Sequence, residues 1–85
     1  MEVLFTPHFK RDAKRLPVSL RNTVEEQLTL FKKDPFTASL KTHKLEGALR
    51  GYWAFSIDYR HRVVFTFEGE STIVLHAIGD HSVYE

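Results

Sequence analysis

The chain has 85 residues, 42% of them hydrophobic and seven of them phenylalanine, which fits one domain spanning residues 1–85 and excludes a disordered chain. No apolar run exceeds four residues, and the start, MEVLFTPHF, lacks the basic and apolar regions of a signal peptide, so neither a membrane span nor secretion is expected. The absence of cysteine excludes disulfides and thiolate metal sites and points to the cytoplasm, while the net charge of +1 hides an uneven spread: residues 1–62 carry all twelve Lys/Arg against seven acids, and residues 63–85 carry only four acids.

In chain order, EVLFT reads as a short strand with Val3 and Phe5 on one face and Leu4 on the other. TPHFKRDAKRL predicts a helix: Thr6 can cap it, Pro7 suits its first position, and Phe9, Ala13 and Leu16 form a buried stripe. Pro17 breaks it, and a second helix begins near Ser19, with Leu20, Val24, Leu28 and Phe31 on one side and an end at KKDP. Two antiparallel helices follow from this. From Phe36 to Gly51 no period is clean, so a long loop is expected.

Three strand patterns close the chain. YWAFSID places Trp53, Phe55 and Ile57 on one face; RVVFTF places Val63, Phe65 and Phe67 inward, with Arg62, Val64 and Thr66 outward. EGES is a turn, and TIVLHAI sets Ile73, Leu75 and Ala77 opposite Val74, His76 and Ile78. The sequence predicts an α+β fold, β-α-α-β-β-β, with the two-helix hairpin packed on one face of a mainly antiparallel four-stranded sheet. The other face is left partly open, and Arg62 points to it without supporting any core contact.

That open face carries the candidate chemistry. His43, His61 and His81 lie at loop positions that can converge on the rim near Arg62. Cleaving RNA through its own 2′-hydroxyl requires a base, a cation for the phosphorane charge and an acid for the departing 5′-oxygen, all within reach of two histidines and an arginine. Zinc is the rival use of histidine, but His76 and His81 are five apart across a glycine, which matches no ligand pattern. No metal or cofactor is expected. EGALRG lacks the lysine and helix of a phosphate loop, and no strained turn supports Ser-His-Asp chemistry.

The order β-α-α-β-β-β, together with HKLEGALRGYW, IDYRHRVVF and the terminal IGDHSVY, resembles the RelE/ParE superfamily of type II toxin–antitoxin toxins, nearest to YoeB-like and YafQ-like mRNA interferases, over essentially the whole chain. The resemblance implies endonucleolytic cleavage of mRNA in the ribosomal A site and neutralisation by a cognate antitoxin. It implies His43 as base, Arg62 as holder of the scissile phosphate, His81 as acid or phosphate contact, and Tyr84 as a stacking or orienting aromatic. Basic residues that relatives carry on the second strand are replaced here by Ala54, Phe55 and Ser56. Lys10, Arg11, Lys14 and Arg15 on the first helix, with Lys44, Arg50, Arg60 and His61, are expected to meet RNA. Two other readings stay open: a ParE-like DNA gyrase inhibitor, and a non-catalytic relative that only binds an antitoxin.

Overall fold

A computed structural model describes residues 1–80. Strand β1 (Glu2–Phe5) runs into helix α1 (Pro7–Arg15), and helix α2 (Arg21–Lys33) follows; then come β2 (His43–Lys44), β3 (Trp53–Ser56), β4 (Arg62–Glu68) and β5 (Thr72–Gly79). Thr6 caps α1 as expected, its hydroxyl accepting the Phe9 amide at 3.0 Å, with Pro7 in the first turn. The chain past Pro17 makes a 3-10 turn at Val18–Leu20 before α2 starts at Arg21, two residues later than the sequence suggests. At the far end Lys32 and Lys33 occupy the last turn, and the Asp34 carboxylate takes the Phe36 amide. Among the described residues no helix is long and apolar enough to cross a membrane.

Among the described residues the sheet has five strands, in the order β1-β5-β4-β3-β2, where four were expected. The addition is β2, two residues from within the expected loop, paired antiparallel to β3 as His43 with Ala54 and Lys44 with Trp53. Two residues are too short to show a period, so the pattern concealed the strand. The meander β3-β4-β5 is antiparallel, and β1 joins β5 in parallel, Glu2 beside Thr72 through Phe5 beside Leu75.

Both helices cover one face. Phe9 from α1 and Phe31 from α2 are buried with Phe55, Ile57, Val63, Phe65, Ile73, Leu75 and Ile78. Phe31 anchors this core: it stacks on Phe55 at 4.2 Å and meets Phe65 edge-on at 5.0 Å. Ile78 is the correction here, since alternation assigned that face to Ala77. The pairing passes from Val64 beside Ala77 to Phe65 beside Leu75, so His76 is an extra residue, a β-bulge. One inserted residue reverses the alternation beyond it and sends Ile78 to the helices and Ala77 away.

The opposite face is less open than expected. Leu45, Ala54 and Val64 are buried in a second, smaller cluster, with Leu49, Tyr52 and Ala77 packed against it. The segment around β2 lies over this half of the sheet, so Ala54 and Val64, read as outward, are covered rather than solvated. Ser56 is buried as well.

Candidate functional site

The β3–β4 hairpin, residues 57–61, builds its own frame. Asp58 Oδ1 accepts the Arg60 amide at 2.9 Å, the His61 amide at 2.8 Å and the His61 ring Nδ1 at 2.9 Å. Aspartate in a turn does this because its short carboxylate reaches amides two and three residues ahead. Burial pushes the Asp58 carboxyl up, but these hydrogen bonds and the nearby imidazole outweigh it and hold the group below its ordinary value.

Arg62 closes the same hairpin from its other end. Its Nη1 donates to the carbonyls of Asp58 at 2.8 Å, His61 at 3.0 Å and Tyr59 at 3.3 Å. Arg62 does leave the core, as alternation predicts, but it braces the turn and so has a structural contact that strand periodicity cannot reveal. The N–H groups on Nε and Nη2 have no partner among the described residues and can receive an anion. A cleft of about 900 Å³ opens beside it, lined among others by Gln27, Lys41, Ser56, Tyr59, Arg60 and Asp80. Gln27, on α2, donates from Nε2 to the Ser56 carbonyl at 3.1 Å and ties the cleft floor to the helix layer.

His43 shares the sheet face of Arg62. Directly opposed residues of antiparallel strands project to the same side, and the register runs His43 to Ala54 on β3, then two residues on to Ser56 and across to Arg62 on β4. The two backbones are therefore about 10 Å apart across the strands and about 7 Å along them, and His43 is not among the residues that line the Arg62 cleft. The His43 ring is exposed, and its Nδ1 lies 2.9 Å from the Lys41 carbonyl. A carbonyl only accepts, so Nδ1 carries the proton and the neutral ring keeps its lone pair on Nε2. Lys41 presents that carbonyl from a left-handed conformation, φ 52 and ψ 40, unusual for a residue with a side chain.

The remaining cations do not gather around Arg62. Lys44 follows His43 on β2 and so faces the other side, where its Nζ stands 5.5 Å over the Trp53 ring. Arg50 joins Lys44 at a separate cleft with Trp53 and Phe67. His61, one residue before Arg62, faces α1 in a hollow with His8, Asp12 and Arg15. Lys10, Arg11, Lys14 and Arg15 are all exposed on α1, across the sheet from His43. Of the residues expected from the sequence to meet RNA, only Arg60 lines the Arg62 cleft, and His81 and Tyr84 lie outside the described residues. Sequence reading missed Lys41, Gln27 and Asp58; a turn aspartate ahead of Arg60 and His61 was a signal for the third, and nothing marked the other two. Among the described residues no three His, Asp or Glu side chains gather as a metal would need.

Residues 7–81 match the family described as YoeB-like toxin of bacterial type II toxin-antitoxin system. A Streptomyces coelicolor protein named Toxin YoeB is 29% identical over 80 residues, covering 91% of this chain and 95% of that protein. A solved YoeB/ParE toxin from Agrobacterium tumefaciens superposes with a TM-score of 0.77 at 22% identity, covering 95% of this chain and 99% of that one. The RelBE2 toxin–antitoxin complex from Mycobacterium tuberculosis contains a chain with a TM-score of 0.77 at 21% identity, covering 94% of this chain and 96% of that one.

Proposed function

This chain belongs to the YoeB-like toxins of bacterial type II toxin–antitoxin systems, and from that membership we propose that it is an mRNA interferase, a metal-independent endoribonuclease acting on message in the ribosomal A site. The observation that carries the reading is the pair on one sheet face: His43, with its proton fixed on Nδ1 by the Lys41 carbonyl, and Arg62, whose Nε and Nη2 have no partner among the described residues. His43 Nε2 takes the proton of a ribose 2′-hydroxyl, whose oxygen attacks the adjacent phosphorus. Arg62 holds the non-bridging oxygens as charge builds on them. The bond to the 5′-oxygen breaks, leaving a 2′,3′-cyclic phosphate and a 5′-hydroxyl, with a proton delivered to the leaving oxygen. By resemblance His81 is the donor and Tyr84 a stacking or orienting neighbour.

The proposed partners are that message and a cognate antitoxin, in keeping with the RelBE2 complex to which the fold is similar. An antitoxin that lays a helix or extended segment over the His43–Arg62 face blocks RNA directly. The α1 cations Lys10, Arg11, Lys14 and Arg15 are proposed to meet ribosomal RNA from the far side of the sheet.

Primer extension on mRNA from translating ribosomes tests the reading. His43→Gln should slow cleavage by about a hundredfold or more, the range for a lost general base. Because His43 is exposed, the same variant should melt with the parent. Full-rate cleavage by His43→Gln refutes the assignment of the base. An intact message with blocked gyrase supercoiling moves the protein to the ParE-like branch.

A further inference from the structure

Tyr59 sits at the tip of the β3–β4 hairpin with its side chain almost wholly in solvent, at 91% exposure. Two of its neighbours hold the turn together: Asp58 collects the amides and Arg62 collects the carbonyls. The Tyr59 ring does neither. An aromatic ring left in water gains nothing for the fold, since the hydrophobic contribution of a side chain comes from the area it removes from solvent. Its backbone, in contrast, is fixed, because its own carbonyl accepts from Arg62 Nη1 at 3.3 Å. The ring is thus a flat apolar surface on a braced stem, next to the guanidinium that the proposed function gives to the scissile phosphate.

The surroundings fit a nucleotide. Tyr59 lines the same cleft as Lys41, Arg60 and Arg62, three cations, with Asp58 and Asp80 as its carboxylates. The Asp58 charge is already taken up by three N–H groups of the turn. Lys41 and Arg60 are both exposed, with side chains long enough to follow a phosphate chain past the tip. A π-face beside a row of cations is how proteins hold single-stranded RNA without reading its sequence.

We infer that Tyr59, with Lys41 and Arg60, forms a nucleotide subsite in which the Tyr59 ring stacks on the base next to the scissile phosphate. The inference rests on RNA as the substrate. It adds a binding residue on the hairpin and assigns that residue no part in the proton transfers. Stacking is indifferent to base identity, so the subsite strengthens binding broadly rather than selecting a codon.

The test measures RNA binding and cleavage separately. The full chain and its Tyr59→Phe, Tyr59→Trp and Tyr59→Ala variants are titrated into a short single-stranded RNA carrying 2-aminopurine, whose emission is quenched by stacking, and the same proteins are assayed by primer extension on translating ribosomes. Tyr59→Ala should weaken RNA binding by about tenfold and lose most of the quenching, while Phe and Trp keep both. In cleavage, the Ala variant should show a raised KM with kcat near that of the parent, the pattern of lost uniform binding. Loss in Tyr59→Phe equal to that in Tyr59→Ala overturns the stacking role in favour of the hydroxyl. Unchanged binding and cleavage in Tyr59→Ala overturn it outright. A parent that binds and stacks RNA without cutting it sinks the nuclease reading and leaves the subsite standing. A parent that neither binds the RNA nor cuts message on translating ribosomes ends both.

Discussion

Replacing Arg62 by alanine removes two things at once, and the structure allows them to be separated. The guanidinium gives Nη1 to three hairpin carbonyls, at 2.8, 3.0 and 3.3 Å. Hydrogen bonds to a charged group each contribute about 1.5–3 kcal/mol when buried. Here the residue is only half-buried and one amino group serves all three acceptors, which regain water when it leaves. The net loss is therefore about 1–2 kcal/mol. For a domain of this size that lowers Tm by roughly 5–15 °C. Arg60 supplies the control: it is exposed, and its hydrogen bond to Asp58 is made by the backbone amide, which Arg60→Ala retains. Thermal unfolding followed by circular dichroism should show Arg62→Ala well below the parent and Arg60→Ala close to it. Arg62→Lys should fall between, since one ammonium retains the charge but not the fork. Cleavage is then measured well below the lowest Tm, where every variant is folded and global unfolding no longer contributes to a lost rate. If Arg62→Ala melts together with Arg60→Ala, the guanidinium does not brace the turn and the hairpin is held by Asp58 alone.

Acid should loosen the same turn. The Asp58 carboxyl is held below its ordinary 3.8, so its stabilisation is complete above that pH and is lost as pH falls through the lower folded value; Asp58→Asn should flatten this limb of the stability–pH curve, and an unchanged limb contradicts it. Phe31, fully buried between Phe55 and Phe65, should cost about 3–5 kcal/mol as Phe31→Ala, a large share of the roughly 5–15 kcal/mol that hold a domain together, and urea unfolding reads it. A loss under about 1 kcal/mol means the core closes over the gap. Asp12 accepts the Ile78 amide at 3.1 Å, so Asp12→Ala should destabilise by about 1–3 kcal/mol and speed hydrogen exchange at Ile78, whereas Asp12→Asn, which keeps an oxygen, should do much less.

Several elements were legible in the sequence because local chemistry and burial agree there. Thr6 and Pro7 start a helix whatever lies around them, and Phe55, Val63 and Phe65 alternate because one face of their strands meets the helices. The strand at His43–Lys44 was not legible, because two residues carry no period. Nor was the bulge at His76, since nothing local announces an extra residue, and everything past it changes sides. The sharing of one face by His43 and Arg62 needed a register that only strand pairing supplies. Lys44 shows the reverse: adjacent to His43 in sequence, it belongs by the pleat to the other side, over Trp53. Ala54 and Ser56 are buried here, so the positive charge at this cleft comes from the hairpin and from Lys41.

The parallel join of β1 to β5 also sets the order in which the molecule can assemble. Glu2 meets Thr72 and the Thr6 hydroxyl donates to the carbonyl of His76 at 3.3 Å, a separation of 70 residues. The β3-β4-β5 meander closes over short loops, but the N-terminal strand has no place to dock until β5 exists. Contacts this distant along the chain are slow to form, because the loop they close must lose its freedom before they reward it. A chain emerging from the ribosome thus carries Leu4 and Phe5 unpaired until β5 has been made, and α1, which packs on β5, waits with them. Strand β5 (Thr72–Gly79) must be made before β1 can pair, so this edge of the sheet is completed after its centre.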